Sequence, residues 1–198
     1  MKFTGVIAAA LTLGSAFAAP VVQKKDSPLE TITSLIAGLK TDVASELASI
    51  PIVGDVEAAA IPVVQAALAG VLSKVQGVAA DVTPLVFGLA VPTVEAEAQS
   101  VLAVVGDLKE TVTGIQTTVK GFVGVATSDV VSTLKPEIQS VLTAVGTIAS
   151  PVTSLAFSVI NTLPAGSLVT SELTTLVGDL QGVVNGLLAP VDSILSIL

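Results

Sequence analysis

The stretch that decides the fold is "TVEAEAQSVLAVVGDLKETVTGIQTTVK", residues 93–120. Its apolar side chains fall at Val94, Ala98, Val101, Leu102, Val105, Leu108, Val112, Ile115 and Val119. Steps of three and four residues place them on one face of a helix, because an α-helix turns once every ~3.6 residues. At ~1.5 Å per residue the helix would be about 40 Å long. Valine and threonine favour strands. Strict alternation rarely persists beyond four residues here, however, whereas three-four stepping persists for twenty or more. Period therefore outweighs propensity, and the expected fold class is all-α.

Working outward, the same pattern recurs. "QSVLAVVGDLKETV" from Gln99 is echoed by "QSVLTAVGTIASPV" from Gln139, each with a glutamate two residues upstream, Glu97 and Glu137. The echo marks the middles of two similar helices. The second opens near Ser128 and carries Val131, Leu134, Ile138, Val141, Leu142, Val145 and Ile148. Pro136 is expected to kink it or mark its true beginning, since proline lacks the donor a helix interior needs. "SPVTSLAFSVINTLP" reads as one more short helix, with Ser150 as cap and Pro151 leading.

Upstream, "SPLE" at 27–30 is a helix start: Ser27 as N-cap, Pro28 at the first position, Glu30 closing a capping box. Leu29, Ile32, Leu35, Ile36, Leu39, Val43, Leu47 and Ile50 then form one stripe, ended by Pro51 and Gly54. Another helix is expected from about Pro62 to Ala80, with Val64, Ala67, Leu68, Val71, Leu72, Val75 and Val78 inward. Pro84 and Pro92 bracket a short apolar piece, "PLVFGLAV". The last long helix is expected from about Leu168 to Leu188, broken by Pro190. The sum is a bundle of five to six amphipathic helices. Gly38, Gly70, Gly106, Gly146 and Gly178 recur within them. Either duplication drifted in a tolerant bundle, or glycine admits a helix or ligand close to the backbone.

The start of the chain reads as a signal peptide over 1–18: Lys2, an apolar run from Val6 to Leu13, and Ala16-Phe17-Ala18 before the cut. Residues 19–27 form a short linker whose Lys24-Lys25 is a second candidate processing point. Residues 28–198 form a single helical-bundle domain. Secretion without cysteine leaves stability to buried area alone. The chain is 52% hydrophobic but only 3% aromatic, so Val, Ala, Leu and Ile must fill the interior. Removing Lys2 with the leader leaves seven lysines against sixteen acids. That balance argues against nucleic acid and against docking on anionic lipid.

The chain has no His, Cys, Arg, Trp or Tyr. The usual N/S zinc sites and the Ser-His-Asp and Cys-His machineries are therefore excluded. Close acids (Asp55/Glu57, Glu95/Glu97, Asp107/Glu110) are expected on solvated helix faces. No cofactor is implied, and the expected protein is not an enzyme. Mean hydropathy of +0.91 is the main functional clue. Prolines and polar residues cut every apolar run below the ~20 residues of a membrane crossing, so no transmembrane span is expected.

The surplus can be core, can line a cavity for an apolar ligand between helices, or can be laid on a hydrophobic surface. Candidate lining residues on the two echoed helices are Val101, Leu102, Val105, Leu108, Val141, Leu142 and Val145. Phe157, Leu176 and Leu180 complete the set. Gln99 and Gln139 are candidates for a lipid head group.

The leader, the Lys-Lys-containing start and helices such as "PLETITSLIAGLKTDV" (28–43) resemble the fungal hydrophobic surface binding protein A family. That family is linked to secreted cell-wall galactomannoproteins whose helical domains bind fatty acids. The likeness is one of pattern: Ser/Thr/Ala/Val-rich amphipathic helices with scattered acids, over most of the mature chain. It implies an extracellular or cell-wall location, no catalytic residues, and a lipid or hydrophobic surface as partner. The alternative is a structural wall or coat protein without a small ligand, tied to wall polysaccharide through O-glycans on its many Ser and Thr.

Overall fold

The computed structural model describes residues 27–54, 57–164 and 166–195, with side chains through Leu187. The signal peptide, most of the linker, Lys24-Lys25 and Asp55 lie outside the described residues. Among the described residues five helices form: α1 (Pro28–Leu47), α2 (Ile61–Gly88), α3 (Glu95–Val125), α4 (Ser128–Thr162) and α5 (Leu168–Leu195), with a 3-10 turn at Ala58–Ala60 before α2. The all-α expectation holds.

The start of α1 is built as its sequence dictates. Glu30 N donates to Ser27 Oγ at 3.2 Å, and Ser27 N donates to Glu30 Oε2 at 2.8 Å. Two backbone donors that have no partner within the helix are thereby satisfied. At the start of α5 Ser167 Oγ satisfies one such donor, accepting from Thr170 N at 3.1 Å. Exposed hydroxyls along the helices, such as those of Thr113, Thr133 and Thr143, donate to the carbonyl four residues back. This back-bonding satisfies the hydroxyl within the helix at a small cost in helix stability.

At four prolines where the sequence suggests a break, a kink or a new start, the helix continues. α2 continues through Pro84 to Gly88, α4 continues through Pro136 and Pro151 to Thr162, and α5 runs past position 190 to Leu195. The fourth helix and the short one expected after Ser150 are thus a single helix of 35 residues. An interior proline costs about 3 kcal/mol. Each described apolar stripe continues beyond its proline: Val86 after Pro84, then Ile138, Val141 and Val145 after Pro136, then Val152, Leu155 and Val159 after Pro151. Burying one such side chain contributes about 1.5–3 kcal/mol, so those beyond Pro136 and Pro151 outweigh the lost bond, and beyond Pro84 the buried Val86 is joined by the half-buried Leu85 and Leu89.

The helices pack in two layers. α1, α3 and α5 lie side by side in one; α2 and α4 form the other. Cross-links fix the directions. Lys40 of α1 meets Asp107 of α3, Gln65 of α2 meets Glu137 of α4, and Lys109 of α3 meets Asp179 of α5. Contacts farther along advance in step, Leu47 lying by Gly114 and Gln116 by Gly186, so α1, α3 and α5 run parallel; Glu46 lies by Gly70 while Asp42 pairs with Lys74, so α2 runs opposite to α1, and the short link from Val125 to Ser128 turns α4 back against α3. α3 and α4, which carry the echoed segment, pack against each other at the centre. One continuous core joins all five helices, and Phe122 is its largest fully buried side chain. The remainder is mostly Val, Leu, Ile and Ala, as composition requires.

α2 (with its preceding turn) and α4 are long and apolar enough to cross a membrane by length and composition, contrary to the run-length estimate made from sequence. The prolines that interrupt the apolar runs do not interrupt the helices. In α4 half of the most apolar window is buried, as in a core helix; in α2 the share is 28%.

Candidate functional site

The ten candidate residues separate into three settings. Val101, Val105 and Leu108 of α3, Val141, Leu142 and Val145 of α4, and Leu180 of α5 are buried in the core. Leu102 and Leu176 are half-buried and face each other across the α3–α5 seam. With Ser171, Glu172, Thr175 and Asp179 they line an open groove of about 370 Å³. Phe157 stands apart, 43% exposed on the outside of α4. A second groove of about 240 Å³ runs between α4 and α5, lined by Gly146, Ala149, Leu180 and Val184 among others. A third, also about 240 Å³, lies between α2 and α4. Gln99 and Gln139 are exposed.

The acids have work to do in holding helices together. Lys40 Nζ sits 2.6 Å from Glu110 Oε2 and 2.9 Å from Asp107 Oδ1, fastening α1 to α3. The hydrogen bonds Lys40 donates to Glu110 and then Asp107 hold its ammonium well above the ordinary lysine range. Lys74 pairs with Asp42 at 3.0 Å across α1–α2, and Lys109 with Asp179 at 2.7 Å across α3–α5. Among the described residues no group of three or more His, Cys, Asp or Glu is placed to hold a metal ion.

Glu137 differs from the other acids. Its Oε1 accepts from Gln65 Nε2 at 3.0 Å, while its Oε2 is buried and takes no hydrogen bond from any described residue. Its counterpart in the echo, Glu97, is exposed. Local sequence could not separate the two, because the difference comes from α2 lying over one and not the other.

The large exposed apolar side chains sit at or near the two ends of the bundle. One end carries Ile52, Val53 and Val63. The other gathers Phe87 (76% exposed) from the end of α2, Val91 and Val94 from the α2–α3 connection, and Leu168 (79% exposed) from the start of α5. Phe157 lies between one and two turns in from the same end. Val94 was expected inside the α3 stripe. It is the extended residue before the helix, at φ −112° and ψ 146°, and it points outward. The same end is rimmed by exposed Glu95, Glu97 and Glu172, while every described lysine lies at mid-bundle or toward the opposite end. Sequence reading saw "PLVFGLAV" as apolar but had no means of telling that Phe87 would face solvent.

The recurring glycines also resolve. A Cβ at Gly38, Gly146 or Gly178 would meet nothing within 4 Å, and at Gly106 only Leu176 at 3.7 Å. At Gly70 it would fall 2.6 Å from the Glu46 carboxyl group, so α1 reaches close to the α2 backbone there.

No family model and no curated protein matches the chain. Among solved structures, the chain is similar to the crystal structure of AfMP4p in complex with palmitic acid. That likeness has 16% sequence identity and a TM-score of 0.45, and covers 82% of this chain and 99% of the other.

Proposed function

We infer that this is a secreted, non-catalytic protein that binds apolar matter, as a fatty-acyl chain or as a hydrophobic surface. The single observation that supports this best is the end of the bundle bearing Phe87, Val91, Val94, Phe157 and Leu168. The mature chain has only three phenylalanines, and two of them are spent on this end rather than in the core. Large apolar side chains gathered in one exposed region mark contact sites more often than chance. The acidic rim sets the kind of surface. Anionic lipid would be repelled, so the partner is one without negative charge, such as oil, wax or neutral lipid. The open seams between helices offer shorter chains a second place to lie.

Secretion belongs to this reading through residues 1–18, and an extracellular or wall location follows from it. Two measurements test the function. Purified protein is extracted with organic solvent and the extract analysed for lipid, and adsorption to uncharged polystyrene and to an oil–water interface is followed. Co-purified acyl chains or rapid adsorption are expected. A lipid-free protein that also leaves both surfaces bare would overturn the reading.

A further inference from the structure

The α2–α4 groove is walled by Leu68, Ala69 and Leu72 on one side and by Pro136, Glu137 and Ser140 on the other. Its apolar wall is continuous with the core through Leu68, which is buried. Its polar atoms all point to one chemistry. Glu137 Oε2 is a buried acceptor with no described donor, and leaving such an atom unsatisfied is costly. Ser140 has already committed its proton, donating to the Pro136 carbonyl at 2.8 Å. Its oxygen therefore offers only lone pairs. Gln65 gives one of its two amide hydrogens to Glu137 Oε1 and is not among the described residues that line the groove. The groove thus sets apolar surface beside two side chains whose oxygens accept hydrogen bonds, Ser140 and Glu137, the latter with its unpartnered Oε2 enclosed behind the groove wall.

We propose that this groove seats the head of a single-chain amphiphile whose head group donates hydrogen bonds: an alkylammonium best, a fatty alcohol next. A fatty-acid carboxylate would set acceptor against acceptor and is disfavoured here. At about 240 Å³ the groove is smaller than the ~300 Å³ at which sites for whole small molecules begin. It holds the head and first carbons, and the rest of the chain lies on the outer surface of α2, which is apolar and little buried. The proposal rests on the reading that the protein binds apolar chains, and it names which chains this seam selects.

The test is calorimetric titration with decylammonium chloride, 1-decanol and sodium decanoate, each below its micelle concentration. The wild-type protein should bind decylammonium tightest and decanoate weakest. Because the chain is acidic overall, preference for a cation alone does not locate the site; the uncharged decanol and two variants do. Glu137→Gln keeps the shape and the Gln65 contact, and should weaken decylammonium about tenfold while sparing decanoate, since a hydrogen bond to a charged group is worth that much. Ala69→Trp, on an exposed position of α2, should fill the groove and abolish decanol binding with the helical content unchanged. Decanoate binding as tightly as decanol overturns the proposal, and so does a Glu137→Gln protein that binds decylammonium as tightly as the wild type does. Adsorption to polystyrene retained by a protein that binds none of the three overturns this site and leaves the wider function standing.

Discussion

Replacing Gly38, Gly146 and Gly178 together by alanine should stabilise the protein. Each lies inside a helix, on α1, α4 and α5 respectively. Glycine in a helix interior is about 1 kcal/mol less favourable than alanine, because ordering it loses more backbone entropy. The added Cβ meets no atom within 4 Å at any of the three, so no packing penalty offsets the gain. The sites are on different helices and should add to within about 0.5 kcal/mol. The triple variant should then gain about 3 kcal/mol. For a domain of this size that is a rise in Tm of about 6–12 °C, read by helical circular dichroism during thermal unfolding. Gly70→Ala is the internal control. Its Cβ would fall 2.6 Å from the Glu46 carboxyl group, whose flexible end must swing away, so its gain should stay below that of any open site. A triple variant melting at or below the wild type, or Gly70→Ala gaining as much as Gly146→Ala, would refute the argument that these positions are open. The same variant asks what the glycines are for. Unchanged adsorption at the oil–water interface identifies them as residue of duplication; slowed adsorption shows that helix looseness serves binding.

Three further outcomes are expected. Phe122→Ala empties the largest buried side chain of the core and should cost about 3–5 kcal/mol in denaturant unfolding. Phe87→Ser with Leu168→Ser should leave stability within about 0.5 kcal/mol per site, since both are exposed, yet should slow adsorption to polystyrene. Lys40→Met should lower the unfolding midpoint slightly in dilute buffer, and the difference should shrink in about 1 M salt, where screening acts within about 3 Å. The same lysine sets a pH limit: its folded pKa is raised above 10.5 by Glu110 and Asp107. Its contribution is therefore complete below pH 10.5 and fades only as alkali deprotonates the folded state. Loss of the Lys40 contribution near neutral pH would contradict the observed pairing.

What could be read in the sequence was whatever depends on neighbours along the chain. The α1 stripe from Leu29 to Ile50 is buried as its spacing requires, with Leu35 alone half-covered, and the Ser27–Glu30 box closes as its four residues dictate. That α4 neither begins at Pro136 nor ends before Pro151 was hidden for a complementary reason. The cost of a proline is local, whereas the burial that outweighs it comes from helices far away in sequence. Pro151 is itself buried against them. Glu137 and Glu97 make the sharpest case: the same local sequence places one under α2, bonded to Gln65, and the other in solvent. The candidate lining residues were chosen for being apolar on central helices, and that criterion selects core. Leu102 and Leu176 reach a groove because they lie at the edge of their stripes, where the α3–α5 seam opens.

A core of Val, Ala, Leu and Ile poses a question of register, since a stripe that nearly repeats, as the "QSVL" segments do, packs almost as well after a slip along its neighbour. Apolar contact is non-directional and discriminates weakly among such slips. The polar pairs discriminate strongly, because each requires two particular residues at one height. Lys40 with Asp107 and Glu110 sets α1 against α3, Lys109 with Asp179 sets α3 against α5, Lys74 with Asp42 sets α1 against α2, and Gln65 with Glu137 sets α2 against α4. Exposed ion pairs add little stability, but a slipped helix would leave these charges beside apolar neighbours or like charges, and that is a penalty on the wrong structure rather than a gain for the right one. The scarcity of lysine makes the assignment tighter: three of the five described lysines are used in this way. Stability and specificity thus come from different residues, and the apolar stripes are left free to be smooth.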